Sequence, residues 1–86
     1  MKAQEIVALL LPASLELEAL RQQAEQLTAL GRYTAATACD AQIASLEEAI
    51  RQEASRLVAA AAGGWGPQRQ RQRTYTVALR LLGLAE

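Results

Sequence analysis

An all-α fold is what this sequence predicts, on three observations. Hydrophobic residues make up 51% of the 86-residue chain while aromatic ones are only 3%, so Ala and Leu carry the apolar content and a sheet would lack the residues it packs best. Apolar positions recur at spacings of three and four through two long stretches. Glycine and proline stand where such stretches should end or bend: Pro12, Gly31 and the run Gly63-Gly64-Trp65-Gly66-Pro67. The expected architecture is one small domain, residues 1–86. A long antiparallel helical hairpin covers 1–62, with its first helix kinked at Pro12; a Gly/Trp/Pro loop covers 63–67; and a shorter basic C-terminal helix covers 68–86. A monomer of this size buries roughly 63% of its unfolded surface, a thin margin. A homodimeric helical bundle is therefore expected.

The first helix is expected over about residues 3–30. Pro12 lacks a backbone N–H and disfavours helical geometry in the residue before it, so an interruption is expected there with Ser14 capping a fresh start. Leu17, Leu20, Ala24 and Leu27 then share one face, opposite Glu18, Arg21, Gln22 and Glu25. Gly31 suits the position after a last helical turn, and Arg32-Tyr33 leaves so short a connection that an antiparallel neighbour follows. The second helix, about 34–62, repeats Ala36, Cys39, Ile43, Leu46, Ile50 and Leu57, close to a heptad seam broken at Glu53. Glu47 with Arg51, and Glu53 with Arg56, are surface neighbours. At 1.5 Å per residue both long helices come to roughly 42–43 Å, and their match lays Ile6, Leu9 and Leu10 beside the segment from Leu57 to Ala62. In the last segment Tyr75, Ala78, Leu79 and Leu82 mark a helix face. Residues 68–77 also alternate with period two, so a short strand before a terminal helix is the alternative.

Gly31, Tyr33 and Ala36 resemble the turn of a tetratricopeptide hairpin, where that spacing packs two helices together. The resemblance covers the turn and the neighbouring helix; Asp40 stands where that family usually has an aromatic residue and Ile43 where it usually has Ala, so membership does not follow. The order of helix, short aromatic-containing turn and long second helix is also similar to that of small helical export chaperones.

Composition removes much chemistry. The chain has no His, hence no Ser/His or Cys/His dyad, no imidazole base and no His metal ligand. Cys39 is the only cysteine, so a disulfide framework or zinc ribbon is excluded. It lies on the apolar face of the second helix and reads as a small buried hydrophobe. Asp40, Glu16, Glu18 and Glu25 read as solvated surface charge. No enzymatic activity, metal or cofactor is expected. The apolar run at residues 6–11 is too short to span a bilayer and lacks the flanks of an export signal. A cytoplasmic setting without membrane contact is expected. Arg outnumbers Lys eight to one, a composition like that of GC-rich bacterial or phage genomes.

Charge is divided along the chain. Residues 1–66 carry five basic and eight acidic side chains, whereas residues 67–86 carry four arginines and one glutamate. On a helix Arg69, Arg73 and Arg80 fall near one face while Arg71 turns away. Trp65, between glycines, could serve as a partner anchor or as a core plug. The expected function is a non-enzymatic protein–protein interaction module: a small adaptor, chaperone or inhibitor that lays a helix face into a groove of a larger protein. Its expected contacts are Leu10, Trp65, Arg69, Arg73 and Tyr75. The alternative is a small dimeric DNA- or RNA-binding regulator in which Arg69, Arg71, Arg73 and Arg80 track phosphates.

Overall fold

The apolar spacing noted above builds three helices: α1 (Ala3–Ala29), α2 (Tyr33–Ala62) and α3 (Gln68–Leu81). A computed structural model describes residues 2–62 and 68–84. Trp65 and the expected Gly/Trp/Pro loop lie outside the described residues. No strand occurs among the described residues, so residues 68–77 take the helical of their two alternatives.

Pro12 does not interrupt α1, which runs through it, and Ser14 lies inside the helix instead of capping a new one. The physical reason is position. Ala8 and Pro12 are both exposed, so water can take the Ala8 carbonyl that proline, having no N–H, leaves without its helical partner.

Two helix ends share one device. Gly31 and Gly83 each adopt φ +75°, the left-handed conformation that glycine enters without steric penalty. After α1 the Gly31 N–H donates to the Thr28 carbonyl at 3.0 Å and the Arg32 N–H to the Leu27 carbonyl at 2.9 Å. After α3 the Gly83 N–H donates to Arg80 at 3.1 Å and the Leu84 N–H to Leu79 at 2.8 Å. Both pairs form the Schellman pattern, which satisfies carbonyls that a helix end otherwise orphans. The second adds an apolar contribution, because Leu84 and Leu79 are both buried in the core. The terminal helix thus ends at Leu81 instead of continuing to residue 86, and Gly83 is the stop.

The helices pack as a bundle 51 Å long and about 18 Å across. Its radius of gyration, 15.2 Å, exceeds the roughly 12 Å of a rounded domain of this length. The main core joins Ile6, Leu10 and Leu17 of α1, Ile50, Ala54 and Val58 of α2, and Ala78, Leu79, Leu82 and Leu84 of the last segment. Ile6, Leu17 and Ile50 are the largest fully buried side chains, each worth about 1.5–3 kcal/mol of transfer free energy. The seam of α2 differs from the expected heptad. After Ile50 the buried positions are Ala54 and Val58, while Leu57 is only half-buried. Steps of four rotate the buried stripe by about 40° each, toward the side where α3 packs. Leu10, expected as a partner contact, is 6% exposed and belongs to this core; the large apolar side chains that α1 does expose are Leu9, Leu11 and Leu15.

Candidate functional site

The short helix α3 has two faces of different chemistry. Tyr75, Ala78 and Leu79 turn inward, Tyr75 half-buried against the core and the other two inside it. Outward lie Arg69, Arg73 and Arg80, all exposed, beside the exposed Val77 and Leu81. Helical geometry sets this division, since residues three and four apart return to the same side. Among the described residues no carboxylate lies within ion-pair distance of Arg69, Arg71, Arg73 or Arg80, whereas Arg21, Arg51 and Arg56 are all paired.

Arg71 is distinct. It shares the inward-facing side with Tyr75 and is half-buried where α3 meets α2. There Ser55, Val58 and Ala59 of α2 and Arg71, Gln72 and Tyr75 of α3 line an open groove of about 380 Å³. The Arg71 Nε is fully covered yet has no hydrogen-bond acceptor among the described residues. Buried donors are nearly always paired, and leaving one unpaired costs about 1–3 kcal/mol. The groove is thus lined by a cationic side chain whose Nε lies beneath its surface, with hydroxyl and amide groups beside it and small apolar side chains as walls.

The opposite half of the molecule has another groove, about 430 Å³, lined by Glu16, Leu20, Gln42, Ser45, Leu46 and Ala49. Its one charged lining residue is the exposed Glu16. A chain of ion pairs lies nearby. Arg21 of α1 donates to Glu47 Oε1 of α2 at 3.2 Å and approaches Glu18 at 4.0 Å, while Arg51 meets Glu47 at 3.7 Å and Glu48 at 3.8 Å. Arg51 also donates to the Leu84 carbonyl at 3.4 Å, tying α2 to the segment after α3. The expected Glu47–Arg51 and Glu53–Arg56 pairs both form. The Arg56 hydrogen bond holds the Glu53 carboxyl below its ordinary range, and Glu53 in turn raises Arg56.

Among the described residues no cluster of three His, Cys, Asp or Glu side chains is placed to hold a metal ion. Cys39 is buried, and its thiol donates to the Leu20 carbonyl at 3.3 Å. No helix among the described residues is long and apolar enough to cross a membrane.

Of the side chains expected as contacts, Arg69 and Arg73 lie exposed on one face of α3, Tyr75 lines the groove, Leu10 is in the core, and Trp65 lies outside the described residues. Arg80 shares the exposed face, and Arg71 is set apart in the groove. Sequence reading missed Ser55, Ala59 and Gln72, because their grouping depends on which turns of α2 and α3 meet. One signal was present: Arg71 falls on the same helical side as Tyr75 and Ala78, away from the arginine stripe. The chain matches no protein-family model, and neither curated proteins nor solved structures include a significant match to it.

Proposed function

We propose that this chain is a non-enzymatic protein-binding module, an adaptor, chaperone or inhibitor that covers an acidic surface of a larger protein. The observation that supports this reading is the composition of α3: its inner side is anchored in the core, while its outer side combines arginines that have no ion-pair partner among the described residues with exposed Val77 and Leu81. Apolar anchors with a charged rim are the usual anatomy of a recognition surface. In this reading α1 and α2 form an antiparallel hairpin that holds α3 rigidly, and α1 bends at Pro12. Contacts from Leu20 to Cys39 and from Arg21 to Glu47 are of the kind such a hairpin makes. The module works in a reducing cytoplasm and does not engage membranes.

A second copy has a place in this reading. Ala8, Leu11, Leu15 and Ala19 are all exposed and recur at spacings of three and four on the side of α1 away from Ile6, Leu10 and Leu17. That stripe is the seam of the proposed homodimer. Light scattering should give a dimer that dissociates in Leu11→Glu/Leu15→Glu.

Fluorescence anisotropy with a labelled amphipathic Glu/Leu peptide tests the main reading, with a labelled DNA duplex of similar length as the competing probe. The peptide is expected to bind, and Arg69→Ala/Arg73→Ala to lose it without loss of helicity. Tight duplex binding that weakens steeply with salt, in place of peptide binding, would favour the nucleic-acid alternative, since phosphate contacts release counterions. Binding of neither probe would overturn both.

A further inference from the structure

The groove between α2 and α3 holds the one covered side-chain donor without an acceptor among the described residues, and the chemistry around it defines what would satisfy it. Arg71 supplies one permanent positive charge; its Nε–H is covered and lacks an acceptor among the described residues, so a ligand in the groove can bond Nε only if this half-buried side chain shifts. Gln72, Tyr75 and Ser55 place an amide and two hydroxyls in the same lining. Val58 and Ala59 complete the wall without charge. Planar guanidinium matches a planar two-oxygen acceptor, which can take parallel N–H···O bonds.

We infer that this groove is a carboxylate-binding pocket, occupied by a glutamate side chain of the partner protein that docks on α3. The inference rests on the protein-binding reading above and names the contact that orients it. Charge matching selects the ligand. A carboxylate brings a single negative charge to the single cation of the groove, whereas a phosphate monoester brings about −1.5 to −2 at neutral pH and would leave excess charge against Val58 and Ala59. The methylene stem of glutamate also suits the apolar wall. Exposed Arg69 and Arg73, by contrast, remain in water, where ion pairs contribute little and are screened by salt. The partner's glutamate in the groove sets register, and the exposed arginines add attraction.

Nitrogen-15 NMR of the arginine Nε–H groups of the full chain tests this directly. The probe is the capped tripeptide acetyl-Leu-Glu-Leu-amide, compared with acetyl-Leu-Gln-Leu-amide and with inorganic phosphate. The Glu peptide should move the Arg71 Nε–H resonance saturably. The Gln peptide should bind about tenfold more weakly or worse, the loss expected when a charge-assisted hydrogen bond is removed. Arg71→Gln, which removes the charge, should lose most of the preference for Glu over Gln while retaining its helical circular dichroism. Three results would overturn the inference: phosphate moving Arg71 as effectively as the Glu peptide, Arg71→Gln keeping the full preference, or an unmoved Arg71 resonance throughout. If Arg69 and Arg73 respond while Arg71 does not, the pocket is refuted and the protein-binding reading stands. If no resonance on α3 responds to the Glu peptide, both fall.

Discussion

The two halves of the rod are stabilised on different scales. In one half α3, about 21 Å long, covers the α1–α2 pair, and ten buried residues from all three helices and the turn beyond α3 form a continuous core. In the other half α1 and α2 have only each other. The buried side chains there are Ala24, Ala36 and Cys39, while Leu20 and Leu27 are half-buried and Leu30 and Tyr33 stay exposed; Ile43 and Leu46 already pack against the main core. Two helices can bury one stripe each, whereas a third gives each of them a second neighbour. Stability in this chain therefore resides where α3 sits, and the same helix carries the candidate site. The proposed recognition surface and part of the core thus share one element fourteen residues long.

The difference can be broken most strongly at Leu17, which is 1% exposed in the three-helix core. Leu17→Ala should destabilise by about 2–5 kcal/mol, read by urea denaturation, whereas a comparable truncation at the half-buried Leu27 should cost clearly less. Equal losses would refute the unequal halves. Pro12→Ala should act the other way. It restores a helical hydrogen bond and should stabilise by up to about 3 kcal/mol; no gain in melting temperature would mean that the packing of α1 against α3 uses a bend at this position. Gly83→Ala forces a side chain into the left-handed region and should destabilise by roughly 1 kcal/mol, although an added Cβ would meet nothing within 4 Å. Because that turn seats Leu84 in the core, the loss should be matched by earlier hydrogen exchange in α3. The smallest effect belongs to the Glu53–Arg56 pair. Both groups are solvated, and the Glu53 pKa is lowered mainly by its hydrogen bond to Arg56. Any stabilisation from it is complete above the ordinary carboxylate pKa and fades as pH falls through the lowered folded value. Glu53→Gln should leave the melting temperature at neutral pH nearly unchanged, and should flatten only a slight acid-side slope.

Much of the architecture was legible because helix periodicity is a local property. The boundaries near Gly31, the face of Leu17 and Ala24, and the pairs Glu47–Arg51 and Glu53–Arg56 follow from residues three to seven apart. What was not legible depends on a third partner. Whether Pro12 breaks α1 depends on which side of the helix faces water. The shift of the α2 seam from Leu57 to Ala54 and Val58 reflects where α3 lands, and the exposure of Leu9 beside buried Ile6 and Leu10 is set by the same packing. At the candidate site the outward arginines were visible from spacing alone. The groove was not, since Ser55 and Arg71 are far apart in sequence and meet only through the docking of two helices.

Cys39 gives the thin half of the rod a chemical clock. Its thiol is covered and points to the backbone of the facing helix, so a reagent can reach it only when α1 and α2 part locally. When closing outpaces reaction, the labelling rate equals the intrinsic thiol rate multiplied by the fraction of time that end stands open. A single kinetic trace on the unmodified chain therefore measures the opening free energy of one half of the molecule, and its quotient with the global unfolding constant measures how far the two halves are uncoupled.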